Sequence, residues 1–257
     1  MVLFTADYHL VKVCIRGICS AVSGHDLVFL HGCALSVHDR DRSRGVAIMG
    51  SSGAGKTALV ASVSERRGYA VRVVNDDWGP VSAHSAAASG TGEMRLHMKT
   101  QSVLALRPGF FAAVPPDAYA RDLSDADPSS RLLVEPEYVY GARWERGIIV
   151  IDNIVVIVRE PPGWQPPDRP PQALELLSRG GYSGYFRRNE PFFNGSLMLR
   201  TEAEWSREVT RYEKLLERVS LSWINNCGTV DELTGKFLSA VMGQVPPPAA
   251  GGEPPAS

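Results

Sequence analysis

The residues Gly50 to Thr57, GSSGAGKT, have the types and spacing to hold a phosphate. They satisfy G-x-x-x-x-G-K-[ST] at every fixed position. Glycines at 50, 53 and 55 let the backbone turn so that the N–H groups of Gly50, Ser51, Ser52, Gly53, Ala54 and Gly55 converge on an anion. Lys56 adds a mobile positive charge suited to β- and γ-phosphates. The Thr57 hydroxyl suits Mg²⁺. About twenty residues on, RVVNDDWG supplies Asp76 and Asp77. Two adjacent acids suit two tasks: ordering the water shell of a Mg²⁺ ion, and accepting a proton from an attacking hydroxyl. Asp is also favoured in plain turns such as one before Gly79. Its place downstream of the loop favours the chemical reading.

These groups work only if the elements around them bring them together. GVAIM, before the loop, is a short apolar run with the pattern of a buried strand. KTALVASVSERRG, after it, has helical character and a stop at Gly68 as the expected C-cap. YAVRVVNDD is expected to be a strand ending in its two carboxylates. Upstream, DLVFLHGCALSV reads as one strand or as two joined at Gly32, and DRDRSRG as a charged turn. Alternation in HLVKVCIRG predicts another strand. EMRLHMKT and SVLAL are candidate strands, and GIIVIDNIVVIV is a strand–turn–strand or one bent strand. TEAEWSREVTRYEKLLERVS places Trp205, Val209, Tyr212, Leu215, Leu216 and Val219 along one helical face. LSWIN suits a short strand. TVDELTGKFLSAVMGQ opens with Thr229 as N-cap and Glu232 three residues on. Proline-rich PPGWQPPDRPPQ, residues 161–171 and just beyond, fits a stiff surface connection.

With 257 residues, the chain can bury a substantial core. Its net charge of −1 offers no basic field for nucleic acid or for an anionic membrane surface. The four cysteines form no CxxC pair and read as reduced thiols. His25, His31 and Cys33 lack a fourth ligand and match no usual zinc spacing. The start has neither the basic region nor the apolar run of a signal peptide, and the longest apolar run is too short to span a bilayer. A cytoplasmic location is expected. One domain is expected over 1–244, with a disordered Pro/Gly-rich tail at 245–257.

The segment FLHGCALSV…GVAIMGSSGAGKTALVASVSERRGYAVRVVNDD resembles the core of the HPr kinase/phosphorylase family. That family carries a Leu-His-Gly segment, a strand, a GxxGxGK[ST] loop, a helix ending near Arg-Gly and a strand ending in Asp-Asp. The resemblance covers about Leu30 to Asp77. It implies a phosphoenolpyruvate-carboxykinase-like nucleotide-binding fold: α/β, with a mixed central sheet, and here a helical C-terminal part. It also implies that His31 lies near the phosphates, that Asp77 acts as general base on a hydroxyl, and that Asp76 lies nearer the metal. The family's metal-holding glutamate before Arg-Gly has a partial counterpart in Glu145 of WERGIIVID, which lacks the residue between Glu and Arg. A charged pair at a strand entrance is the other reading of Glu145. In YFRRNEPFFNG, Arg187 or Arg188 suits the charge of a transferring phosphoryl. A solvated basic turn suits that segment equally.

The family's N-terminal regulatory domain is not apparent, and the C-terminal parts do not match helices that grip HPr. The expected activity is a kinase using ATP and Mg²⁺ on an alcohol group of a small molecule, peptide or protein. A nucleotide switch that hydrolyses ATP or GTP without an acceptor is the alternative. The partners expected are the nucleotide and a hydroxyl-bearing substrate, with no nucleic acid and no membrane. Assembly into a homo-oligomer is left open.

Overall fold

The computed structural model describes residues 27–50, 53–83, 94–96, 104–106, 132–145, 147, 149–165 and 202–243. Among them, helices pack on both faces of a mixed seven-stranded sheet. The strands of this sheet are β1 (Leu27–His38), β2 (Ser43–Gly50), β3 (Ala70–Ala83), β4 (Met94–Leu96), β7 (Ile149–Val150), β8 (Asn153–Val158) and β9 (Ser220–Asn225), in the order β7-β4-β3-β1-β2-β8-β9. A separate hairpin pairs β5 (Leu104–Leu106) with β6 (Leu132–Val134). The strands β2, β8 and β9 run parallel, whereas β1 is antiparallel to both β2 and β3. The segment LVFLHGCALSV is therefore one strand through Gly32.

Each central strand has two apolar faces, which is why GVAIM and NIVVIV read as continuous runs. Val46, Ile48, Val155 and Ile157 face helices α1 (Lys56–Glu65) and α4 (Val230–Met242). Ala47, Met49, Ile154 and Val156 face the other way, toward Tyr212, Leu215 and Val219 at the end of α3 (Glu202–Leu216) and just beyond it. The capping box opening α4 forms as its sequence predicts: Thr229 Oγ1 accepts from the Glu232 amide at 3.2 Å, and Glu232 Oε2 from the Thr229 amide at 3.0 Å.

A flat sheet is impossible here. Only Ile151 and Asp152 separate β7 from β8, yet four strands stand between them in the sheet order. The long β1–β3 ribbon must curl so that its far end returns toward the start of β2. Leu30 and Val81 of the ribbon accordingly share a core with Ile151 and Ile154. Asp152 ties the junction: its Oδ2 accepts from the Gly45 amide, its own amide donates to the Gly45 carbonyl, and its carbonyl accepts from Ser220.

Two boundaries differ from the sequence reading. Helix α1 ends at Glu65, not at Gly68, because the Arg66 amide turns back to the Val63 carbonyl and Arg66 itself is extended. Gly68, at φ 88°, reverses the chain toward β3. In addition, β3 does not stop at the Asp pair. It runs on to Ala83, because β1 continues beside it down to Leu27.

Candidate active site

The C-terminal end of β2 delivers the chain into the glycine loop. Gly50 has φ 154° and Gly53 φ 82°. Gly55, at φ 102°, sits left-handed at the N-cap of α1, with no side chain capping the helix amides. A Cβ on Gly50 would lie 2.5 Å from the Ile157 carbonyl oxygen and 3.2 Å from Ala54 Cβ, so the loop starts hard against β8. Lys56 is the first residue of α1 and is 9% exposed; its Nζ donates to the Gly50 carbonyl at 2.7 Å. The ammonium thus lies back across the loop's own mouth. Thr57, beside it, is half-buried.

The ladder sets what stands beside this loop. Gly32 pairs with Met49 on one side and with Asp77 on the other, and Cys33 pairs with Ile48 and Asp76. The backbone at Asp76–Asp77 therefore lies two strand spacings, about 10 Å, from the end of β2. A Cβ on Gly32 would collide with the Ile48 carbonyl, which explains why a glycine follows His31.

A β-bulge sets the phase of Asp76. Val71 and Val73 belong to the core on the α1 face. Strict alternation from them would put Asn75 on that face and Asp76 on the opposite one. The register slips instead: Leu35 pairs with Val73 and Ala34 with Asn75, leaving Val74 as the extra residue, packed in the opposite core. Asp76 is thereby returned to the α1 face. It is 6% exposed there, and both carboxylate oxygens are held. Cys33 Sγ donates to Oδ1 at 2.6 Å, and the Tyr140 hydroxyl donates to Oδ2 at 2.7 Å.

Tyr140 arrives on a compact bracket: the short helix α2 (Pro136–Tyr140), followed by a 3₁₀ turn (Gly141–Arg143). Trp144 stacks on Tyr140 with centroids 5.7 Å apart and planes 11° from parallel. The Glu145 amide donates to the Val73 carbonyl at 2.9 Å, and Arg143 pairs with Glu65 of α1 at 2.7 Å.

Two asparagines complete the surroundings. Asn226, just past β9, donates from Nδ2 to the Ala54 carbonyl at 2.8 Å and limits the space beside Gly55, where an added Cβ would come within 2.9 Å of it. Asn75 is 1% exposed. Its Nδ2 donates to the Gly32 carbonyl at 2.9 Å, and its Oδ1 has no hydrogen-bond partner. Sequence reasoning named neither asparagine, nor Cys33 and Tyr140 as neighbours of Asp76. The one available signal was Asn75 itself, a polar residue interrupting an apolar strand directly before the acids.

Of the residues singled out from sequence, Gly50, Gly53, Ala54, Gly55, Lys56 and Thr57 lie on the loop and helix start, with Asp76 on the same face of the sheet. In the ladder Asp77 pairs with Gly32 and His31 with Trp78; the side chains of His31 and Asp77 lie outside the described residues, as do Ser51, Ser52, Arg187 and Arg188 entirely. Glu145 closes the 135–145 bracket beside β3. Its backbone bonds to Val73, roughly 10 Å upstream of Asp76 along the strand, and its exposed carboxylate pairs with Arg72 at 3.3 Å. No cluster of three or more His, Cys, Asp or Glu side chains suited to a metal occurs among the described residues. No helix among them is long and apolar enough to cross a membrane.

No known protein-family model matches the chain, and no curated protein does. Among solved structures it is similar to the Hpr(Ser) kinase/phosphatase from Coxiella burnetii, at 13% identity and a TM-score of 0.33. The match covers 56% of this chain and 66% of that one, so the chain spans just under two thirds of that protein's length.

Proposed function

We propose that this protein is a kinase: a phosphotransferase that moves the γ-phosphoryl group of ATP to an alcohol oxygen of a small molecule, peptide or protein. The observation that carries the reading is the loop from Gly50 to Lys56. Three glycines with positive φ, an α1 N-terminus without a side-chain cap, and a buried lysine bonded back to the Gly50 carbonyl are features that suit a polyphosphate. An added Cβ would press on the Ile157 carbonyl at Gly50 and on the Asn226 amide at Gly55, so both positions call for glycine.

Mg²⁺, when bound with ATP, neutralises phosphate charge. In this reading the Thr57 hydroxyl and the Asp76 carboxylate are its protein partners. Lys56 moves from the Gly50 carbonyl to the β- and γ-phosphates. Asp77 takes the proton of the acceptor hydroxyl as that oxygen bonds to the γ-phosphorus and the bond to the β-phosphate's bridging oxygen breaks, leaving ADP. His31, paired in the ladder with Trp78 beside Asp77, contributes at the same end of the sheet. An arginine from the Arg187–Arg188 pair supplies further positive charge to the transferring group.

The test is incubation with γ-labelled ATP and Mg²⁺ over a panel of serine, peptide and sugar acceptors, with free phosphate counted in parallel. Label in any acceptor supports the kinase. Free phosphate alone points to a nucleotide switch, and no turnover with no nucleotide binding overturns both readings.

A further inference from the structure

Asp76 is a carboxylate whose two oxygens are each met by a donor from a different element, and neither donor belongs to the glycine loop. Cys33 reaches it across the ladder from β1. Tyr140 reaches it from the bracket at 135–145, which lies beside β3 and is fastened to both β3 and α1. The Cys33 thiol meets Asp76 Oδ1 at 2.6 Å, and a carboxylate oxygen can only accept in such a bond. Cys33 is therefore a donor here. Each carboxylate oxygen offers about two lone-pair directions. A proton donated to each oxygen helps to fix the plane of the group.

We infer that Tyr140 and Cys33 are positioning residues that aim Asp76 at the Mg²⁺ accompanying a bound nucleotide. This inference rests on the proposed function and adds to it a second shell, built from residues outside the motif. The bulge at Val74 turns Asp76 to the α1 face; the phenol and the thiol then set its orientation on that face. Outer-shell donors of this kind typically contribute about 10- to 100-fold to metal affinity. Truncating either one should cost Mg²⁺ coupling without touching the groups that hold phosphate.

The experiment measures binding rather than turnover. A non-hydrolysable ATP analogue is titrated into the full chain by calorimetry, once with Mg²⁺ and once with chelator. The ratio of the two affinities is the metal coupling. In Tyr140→Phe, that ratio should fall by roughly tenfold or more, while the chelator affinity stays at the wild-type value. Cys33→Ala should do the same and Cys33→Ser, which keeps a donor, should restore much of it. Thermal melts establish that each variant is folded. If Tyr140→Phe does not fold, the Cys33→Ala and Cys33→Ser pair decides the question.

Unchanged coupling in folded Tyr140→Phe and Cys33→Ala overturns the inference while the kinase reading stands. Equal losses with and without Mg²⁺ also overturn it, because they mark a purely structural role. A wild-type chain that binds the analogue under neither condition overturns both.

Discussion

The side-chain amide of Asn226 holds the Ala54 carbonyl at 2.8 Å, joining the exit of β9 to the middle of the glycine loop across 172 positions of sequence. Ala54 is only 1% exposed, so that carbonyl has little access to solvent. Asn226→Ala should lower unfolding stability by about 1–3 kcal/mol, the cost of leaving a buried acceptor unpaired. It should also weaken nucleotide binding by loosening the loop. Denaturant unfolding and calorimetry check the two effects. If both are unchanged, the Asn226 bond does not hold the loop.

Lys56→Ala removes the charge assigned to the β- and γ-phosphates, at a site where little water competes. Nucleotide affinity should fall and phosphoryl transfer should cease. Wild-type affinity and turnover in this variant would end the phosphate-loop reading.

The two acids should separate by phenotype. Asp77→Asn retains shape and loses proton acceptance, so ATP should still bind while transfer falls by roughly two to four powers of ten. Asp76→Asn should raise the Mg²⁺ requirement instead. Transfer at the wild-type rate in both variants would refute the kinase.

Gly50→Ala tests the cradle from the opposite direction. Its backbone lies at φ 154°, and the new methyl would press on the Ile157 carbonyl. A loss of about 1–3 kcal/mol is expected from the strained backbone, along with a sharp fall in nucleotide affinity. A variant as stable as wild type would mean that the loop leaves β2 by another path.

Away from the site, Asp39 ties the β1–β2 turn. Its Oδ1 accepts from the amides of Asp41 at 2.9 Å and Arg42 at 2.7 Å. The Asp41 amide first, then the Arg42 amide and guanidinium, lower its pKa below the ordinary 3.8 against an opposing desolvation. A carboxyl lowered on folding stabilises the native state above its unfolded pKa and loses that contribution as pH falls through the lowered value. The stability gap between wild type and Asp39→Ala should therefore be widest near neutral pH and narrow below about pH 4. A gap that grows on acidification would contradict the assignment.

The local elements were legible where one residue type decides the backbone. The Thr229–Glu232 capping box, the charged β1–β2 turn, the buried GVAIM strand and the amphipathic face around Tyr212 and Leu215 all follow from short-range rules. What stayed hidden depends on pairing between distant strands. The continuation of β3 past Asp77 exists because β1 lies alongside it. The donors to Asp76 come from Cys33, which looked like one of several reduced thiols, and from Tyr140, in a segment with no motif. Glu145, marked for metal by a partial motif, pairs with Arg72 through an exposed carboxylate, a contact that no local pattern announces.

The bulge at Val74 gives β3 two reading frames. Upstream, the frame turns Val71 and Val73 to the helices; downstream, it turns Asp76 the same way, toward Cys33 and Tyr140. One surplus residue joins frames that simple alternation would set against each other. Shortening the strand by one residue at Val74 would merge them, leaving an unbroken ladder in which Asp76 still faces Cys33. Lengthening the ribbon by one residue between Asn75 and Asp76 would offset them again and carry the carboxylate through the sheet to the other side. The two changes differ in register alone: a deletion at that point keeps Asp76 opposite Cys33, and an insertion does not.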